Sequence, residues 1–86
     1  MRTTAQLLEH ALKTRPAKFW CDRYYIREST ISTAKKRGRL SPVLAGNLAY
    51  DLGEDVTKWM AIAATETERE TPMSERLREL LLDRNP

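Results

Sequence analysis

The sequence predicts an all-α fold, a compact five-helix domain followed by an amphipathic helix near the C-terminal end. Three observations carry that prediction. Apolar residues recur at helical spacing in successive segments, as in Leu7, Leu8, Ala11 and Leu12. Helix starts are marked by Ser41-Pro42 and Thr71-Pro72, and helix ends by Gly38 and Gly53. An apolar fraction of 41%, with three Gly and four Pro in 86 residues, suits one small helical core rather than a disordered chain.

A first helix over 3–13 follows from the capping-box spacing of Thr3 and Gln6 and from the Leu7, Leu8, Ala11, Leu12 stripe. Pro16 pushes Arg15 out of the α region, which ends that helix, and it suits the entry to a second helix over about 17–25. There Trp20, Cys21 and Tyr24 fall at i, i+1 and i+4 and share one face. Ile26 follows a turn. Ile31 and Ala34 sit three apart on a third helix over about 28–37, which Gly38 ends in the left-handed conformation. These six side chains can close a small core between two crossed helices.

Ser41 caps a fourth helix that Pro42 opens, with Leu44, Leu48 and Leu52 as its buried stripe and Ala45 and Ala49 admitting a close neighbour. Gly53 closes it. Asp55 caps a fifth helix, in which Val56, Trp59, Met60 and Ala63 are expected to face inward. Trp20 and Trp59 read as core anchors. The stretch 65–70 reads either as the frayed end of that helix or as a short polar linker. Thr71 and Pro72 begin a sixth helix with Met73, Leu77, Leu80 and Leu81 on one side. Five helices already complete a core, and burying one Leu is worth ~1.5–3 kcal/mol. A two-fold dimer contact through Met73, Leu77, Leu80 and Leu81 is therefore expected in preference to packing back on the same chain.

The third helix also has a polar face. Ser29, Ser32, Thr33 and Lys36 fall at i, i+3, i+4 and i+7 with no large apolar residue among them. Short hydroxyls and a Lys can approach base edges and phosphates without a steric barrier. Thr33 is β-branched, so Glu or Ala would serve a merely solvated helix better. Arg27 stands at the turn exit. Glu28 in the first turn complements the helix dipole and is equally able to accept a hydrogen bond from a cytosine amino group. Lys35, Lys36, Arg37 and Arg39 surround Gly38. The dipole accounts for one or two cations at a helix C-terminus; phosphate neutralisation accounts for all four and predicts a steep loss of affinity with salt.

Charge is divided in the same sense. Residues 1–40 hold ten Lys/Arg against three Asp/Glu, a net +7, and residues 41–86 hold five against nine, a net −4. One face is expected to meet a polyanion while the other avoids it. The candidate base-reading residues are Arg27, Glu28, Ser29, Ser32, Thr33 and Lys36. The candidate phosphate contacts are Arg15, Lys18, Lys35, Arg37 and Arg39.

The segment 17–36 resembles the helix-turn-helix of the lambda-type phage repressor and Cro proteins, the large XRE-like family. That family wants apolar residues where Trp20, Tyr24, Ile26, Ile31 and Ala34 stand, and a small one where Cys21 stands. The resemblance continues through RLSPVLAGNLAYDLG and DVTKWM, similar to the family's fourth and fifth helices, and covers about residues 4–64. It implies a DNA-binding domain over 1–64, with the helix-turn-helix at about 17–37, followed by a polar linker and C-terminal helix over 65–86. Two positions depart from the pattern. Tyr25 stands where the family usually has Gly, which predicts a wider turn, since a non-Gly residue at positive φ costs roughly 1 kcal/mol or more. Ala17 stands where a Gln often contacts phosphate, a role left to Lys18. The resemblance implies a dimeric transcriptional repressor of phage or prophage type, similar to compact filamentous-prophage repressors. Its recognition helices would enter successive major grooves of a near-palindromic double-stranded DNA operator about 34 Å apart. One small helical unit leaves no room for a separate effector domain, so regulation would come through concentration, operator competition or a small antirepressor protein.

Other classes are narrowed by what is present. His10 lies beside the first apolar stripe with no second His or Cys at ligand spacing, so it reads as a rim residue. One His, one Cys and no Gly-rich phosphate loop assemble no acid–base or nucleophile constellation, and no cofactor is expected. The lone Cys21 suits a reducing cytoplasm, where the protein would associate with the nucleoid when bound. No run approaches the ~18 apolar residues of a membrane span, and MRTTAQLLEH lacks the apolar core of a signal peptide. Two other readings use the same residues. An antitoxin would bind DNA likewise and hold a toxin protein through the sixth helix or the acidic 65–70 stretch. A protein–protein adaptor would bind DNA with little sequence preference.

Overall fold

A computed structural model describes residues 1–83 and shows six helices, with no strand among the described residues. They are α1 (Thr4–Thr14), α2 (Ala17–Tyr24), α3 (Glu28–Arg37), α4 (Pro42–Asp51), α5 (Val56–Glu66) and α6 (Pro72–Leu82). Residues 84–86, the end of the segment expected as linker and last helix, lie outside the described residues.

Local chemistry explains the helix starts. Thr3 and Gln6 form the expected capping box: the Thr3 hydroxyl accepts from the Gln6 N–H at 3.2 Å, and Gln6 Oε1 accepts from the Thr3 N–H at 3.3 Å. Ser41 Oγ accepts from Leu44 N at 3.2 Å ahead of Pro42, and Asp55 Oδ1 accepts from Lys58 N at 3.0 Å. Thr71 and Ser74 close a second reciprocal cap around the first turn of α6. Pro16 is the N-cap of α2 and offers no side-chain hydrogen bond.

The core lies where α1, α4 and α5 meet and extends under α2 and α3. Leu7, Ala11, Leu48, Ala49, Ile62 and Ala63 are fully buried in it, and both Trp side chains anchor it. Trp20 Nε1 donates to the Ala11 carbonyl at 3.0 Å, so its one polar atom is satisfied inside. Leu44 and Leu52 lie at the border of the core, while Leu48 is buried in α4 together with the small residues Ala45, Gly46 and Ala49. A Cβ at Gly46 would come within 2.7 Å of Met60 Cγ, so α4 and α5 approach closely at that position.

Three expectations change. Met60 does not face the core; it is partly exposed and lies across Gly46, while Ile62, not singled out in the sequence, is fully buried. The inward face of α5 thus runs through Trp59, Ile62 and Ala63. The turn after α2 is no wider for want of Gly, because Tyr25 itself adopts the left-handed conformation at φ 56°, ψ 45°. Its N–H and that of Ile26 both bond the Cys21 carbonyl, the latter at 3.1 Å. Finally, α6 packs back on α5. It does so through Ser74, Leu81 and Leu82, so Leu81 belongs to the inward side and not with Met73, Leu77 and Leu80.

Thr4 and Glu66 tie the start of α1 to the end of α5. Thr4 is fully buried; its N–H donates to Glu66 Oε2 at 2.9 Å, its hydroxyl donates to Glu66 Oε1, and its oxygen accepts from Leu40 N at 2.9 Å. The carboxylate also sits at the positive end of α1. Thr65 and Glu66 are therefore structural members of α5, not the start of a linker.

Candidate nucleic-acid interface

The placement of α3 follows from what it buries. Ile31 and Ala34 turn into the core beside Trp20 and Cys21, which leaves the opposite side of a ten-residue helix uncovered by the described residues. Ser29, Ser32, Thr33 and Lys36 are all exposed on that side, as their spacing requires. Arg27 is the N-cap residue, without a side-chain cap, and Glu28 opens the helix; both are exposed. At the other end Gly38 adopts φ 72°, and the Gly38 and Arg39 N–H groups bond the Ala34 carbonyl at 2.9 and 3.3 Å. The chain thereby reverses sharply and brings Arg39 and Ser41 back beside α3. Ser29, Thr33, Arg37, Arg39 and Ser41 line a shallow groove of about 280 Å³, with Leu44 on its α4 side.

The cations do not behave alike. Lys36, Arg37 and Arg39, with Lys35, have no ion pair among the described residues. Lys18 is engaged with Asp22 one turn on, at 3.3 Å. Arg15 lies 5.1 Å from the Phe19 ring centroid, a cation–π contact at the entry to α2. Lys35 borders a separate depression with Leu8, Glu9 and Leu12 of α1, so it stands apart from the Ser29–Lys36 stripe. Of the eleven candidates, Ser29, Thr33, Arg37 and Arg39 share one groove, and Lys36 and Ser32 continue its face. Thr30, exposed and lining the same groove, escapes the sequence pattern because it lies one step outside the i, i+3, i+4, i+7 spacing.

A cluster at the far end of α2 ties that helix to the end of α4. Arg23 Nε and Nη2 donate to the Asp51 carboxylate at 2.6 and 2.8 Å, and the Tyr24 hydroxyl donates to the same carboxylate at 2.6 Å. The Tyr24 ring stacks on Trp20, with centroids 5.9 Å apart. The Arg23 guanidinium holds the Asp51 carboxyl below the usual carboxylate range, helped by the Tyr24 hydroxyl. Burial, followed by the neighbouring carboxylate, pushes the Tyr24 phenol well above its ordinary value. Asp51 raises the Arg23 value in turn. Burial also pushes the Cys21 thiol up, so that side chain acts as a small apolar filler.

No group of three or more His, Cys, Asp or Glu able to hold a metal is present among the described residues, and His10 is exposed. No described helix is long and apolar enough to cross a membrane. No protein-family profile, curated protein or solved structure matches the chain.

Proposed function

We propose that this chain is a sequence-specific DNA-binding transcriptional repressor of phage or prophage type. In this reading α2 and α3 form a helix-turn-helix, α3 enters the major groove of a near-palindromic operator, and two copies bind as a homodimer. The observation that carries it is the company kept by the α3 hydroxyls: an exposed polar stripe bordered by Lys36, Arg37 and Arg39, none of them neutralised by an acid of the described chain. Unpaired cations crowded on one surface repel one another, and a phosphate backbone relieves that repulsion while releasing counterions. The hydroxyls between them are short enough to reach base edges. Arg37 and Arg39 are suited to phosphates, while Ser29, Ser32 and Thr33 are suited to reading.

Selection of bound sites from a random DNA pool tests the reading, followed by titration of Ser29→Ala, Thr33→Ala and Lys36→Ala on the selected duplex. The Ser29 or Thr33 change should alter preference at one base position by ~1–3 kcal/mol. Loss of Lys36 should weaken all sequences alike and lower the salt slope by about one. Unchanged binding by all three variants overturns the assignment of the reading face.

A further inference from the structure

We infer that the groove between α5 and α6 is the seam of a two-fold dimer, filled by the Met73, Leu77 and Leu80 side chains of a second copy. The inference deepens the repressor reading and rests on it for the demand that two α3 helices be related by a two-fold axis.

The groove has about 640 Å³ of space, more than twice that of the shallow groove beside α3. Its floor on α5 is Ala61 and Ala64, and its wall on α6 is Met73, Leu77 and Leu80. Those three are 81%, 48% and 57% exposed. They are not spare packing from the docking of α6, because that helix already buries a different side, Ser74 with Leu81 and Leu82. An α6 that needed only to cover α5 would gain nothing from a second apolar stripe facing water. Two alanines on the opposite wall leave the depth that a row of long side chains requires. Each copy thus carries both the row and the hollow, as an isologous contact demands.

The rim decides between a second copy and some other protein. Glu68 and Arg69, just beyond the end of α5, and Arg76 of α6 line the groove, and none of the three has an ion pair among the described residues. A partner of one charge sign would match one sign of this mixed rim and oppose the other. Under a two-fold axis, Glu68 of each copy meets Arg76 of the other, so both are matched twice.

Sedimentation equilibrium of the full chain over a concentration series reads the result. The expected species has twice the 10.0 kDa chain mass. Leu77→Glu places two like charges in the seam and should weaken dimerisation at least about a hundredfold, since each event removes two buried leucines. Ala64→Arg should do the same by filling the hollow; Ala64 is exposed in the single chain, so this variant keeps its fold by circular dichroism even where Leu77→Glu does not. Glu68→Arg and Arg76→Glu should each weaken self-association about tenfold, and an equimolar mixture of the two should dimerise again, because both cross pairs are then of opposite sign. A chain that stays monomeric, a dimer indifferent to Leu77→Glu and Ala64→Arg, or a groove occupied instead by an unrelated protein overturns the inference. Titration of half-site duplex separates the two proposals. A dimer that prefers no sequence removes the repressor reading and leaves the seam; a monomer that selects a half-site removes the seam and leaves the reading.

Discussion

The cations of α2 and those of α3 face opposite fates within one small surface. On α2, Lys18 is engaged by Asp22 and Arg23 by Asp51, the second pair also holding Tyr24. On α3 and its exit, Lys35, Lys36, Arg37 and Arg39 have no such partner among the described residues, although the chain carries twelve acids in all. The contrast separates cations that an acid of the same chain engages from cations that no acid among the described residues engages. A paired Arg such as Arg23 fixes one helix against another through a planar two-pronged contact. An exposed unpaired cluster contributes nothing comparable to folding and costs some self-repulsion.

The largest expected effect breaks the comparison on the α3 side. Replacing Lys35, Lys36, Arg37 and Arg39 together by Ala should abolish most DNA affinity. The slope of log affinity against log salt should fall by about three to four, at ~0.9 for each phosphate no longer neutralised. Thermal unfolding should be unchanged or slightly improved. Fluorescence anisotropy across a salt series checks the first outcome and calorimetry the second. A slope that does not move would mean that these side chains never meet phosphates.

On the α2 side the signs reverse. Asp51→Ala leaves the Tyr24 hydroxyl and the Arg23 guanidinium without their shared acceptor, and a hydrogen bond to a charged group is worth ~1.5–3 kcal/mol. Stability should therefore fall by about 2 kcal/mol, read by urea denaturation, with salt slope unaltered. The same cluster gives a pH signature. The Asp51 carboxyl is lowered in the folded chain, chiefly by its hydrogen bond from Arg23, so its stabilisation is present above the ordinary carboxylate value of about 3.9 and is lost as pH falls through the depressed folded value. The Tyr24 phenol is raised, so its contribution is present below about pH 10 and is lost as pH climbs beyond it. The Asp51→Ala variant should flatten the acid limb of the stability curve.

How far these features can be read in the chain depends on whether they are local. Helix starts are local: Thr3 with Gln6, Ser41 with Pro42 and Thr71 with Pro72 need only their own neighbours, and all stand as expected. The exposure of Ser29, Ser32, Thr33 and Lys36 follows from Ile31 and Ala34 alone, because one turn of helix fixes both faces. What spacing could not supply was the partner of each face. Glu66 reads as part of an acidic stretch until Thr4, sixty-two positions earlier, is brought against it. Asp51 gives no sign that Arg23 and Tyr24 converge on it. Met60 and Ile62 exchange roles, with Met60 lying over Gly46 of α4 and Ile62 fully buried, and α6 divides its apolar residues between two sides; helical spacing alone does not say which neighbour each side meets.

The smallest expected effect sharpens the comparison at the two helix ends themselves. Both α2 and α3 finish on a left-handed residue, Tyr25 at φ 56° and Gly38 at φ 72°, so one backbone conformation is filled by two very different side chains. Tyr25 is 95% exposed and gains no packing to offset the crowding of its Cβ against the backbone. Tyr25→Gly should therefore raise stability, by ~0.5–1 kcal/mol once the greater freedom of Gly in the unfolded chain is subtracted. For a chain of this size that corresponds to a rise of a few degrees in Tm. Gly38→Ala should move it the other way by about 1 kcal/mol, and by backbone strain alone, since a Cβ there meets nothing within 4 Å. If Tyr25→Gly instead lowers Tm, the exposed ring contributes to the folded chain, and the turn between α2 and α3 is held by more than its two hydrogen bonds to Cys21.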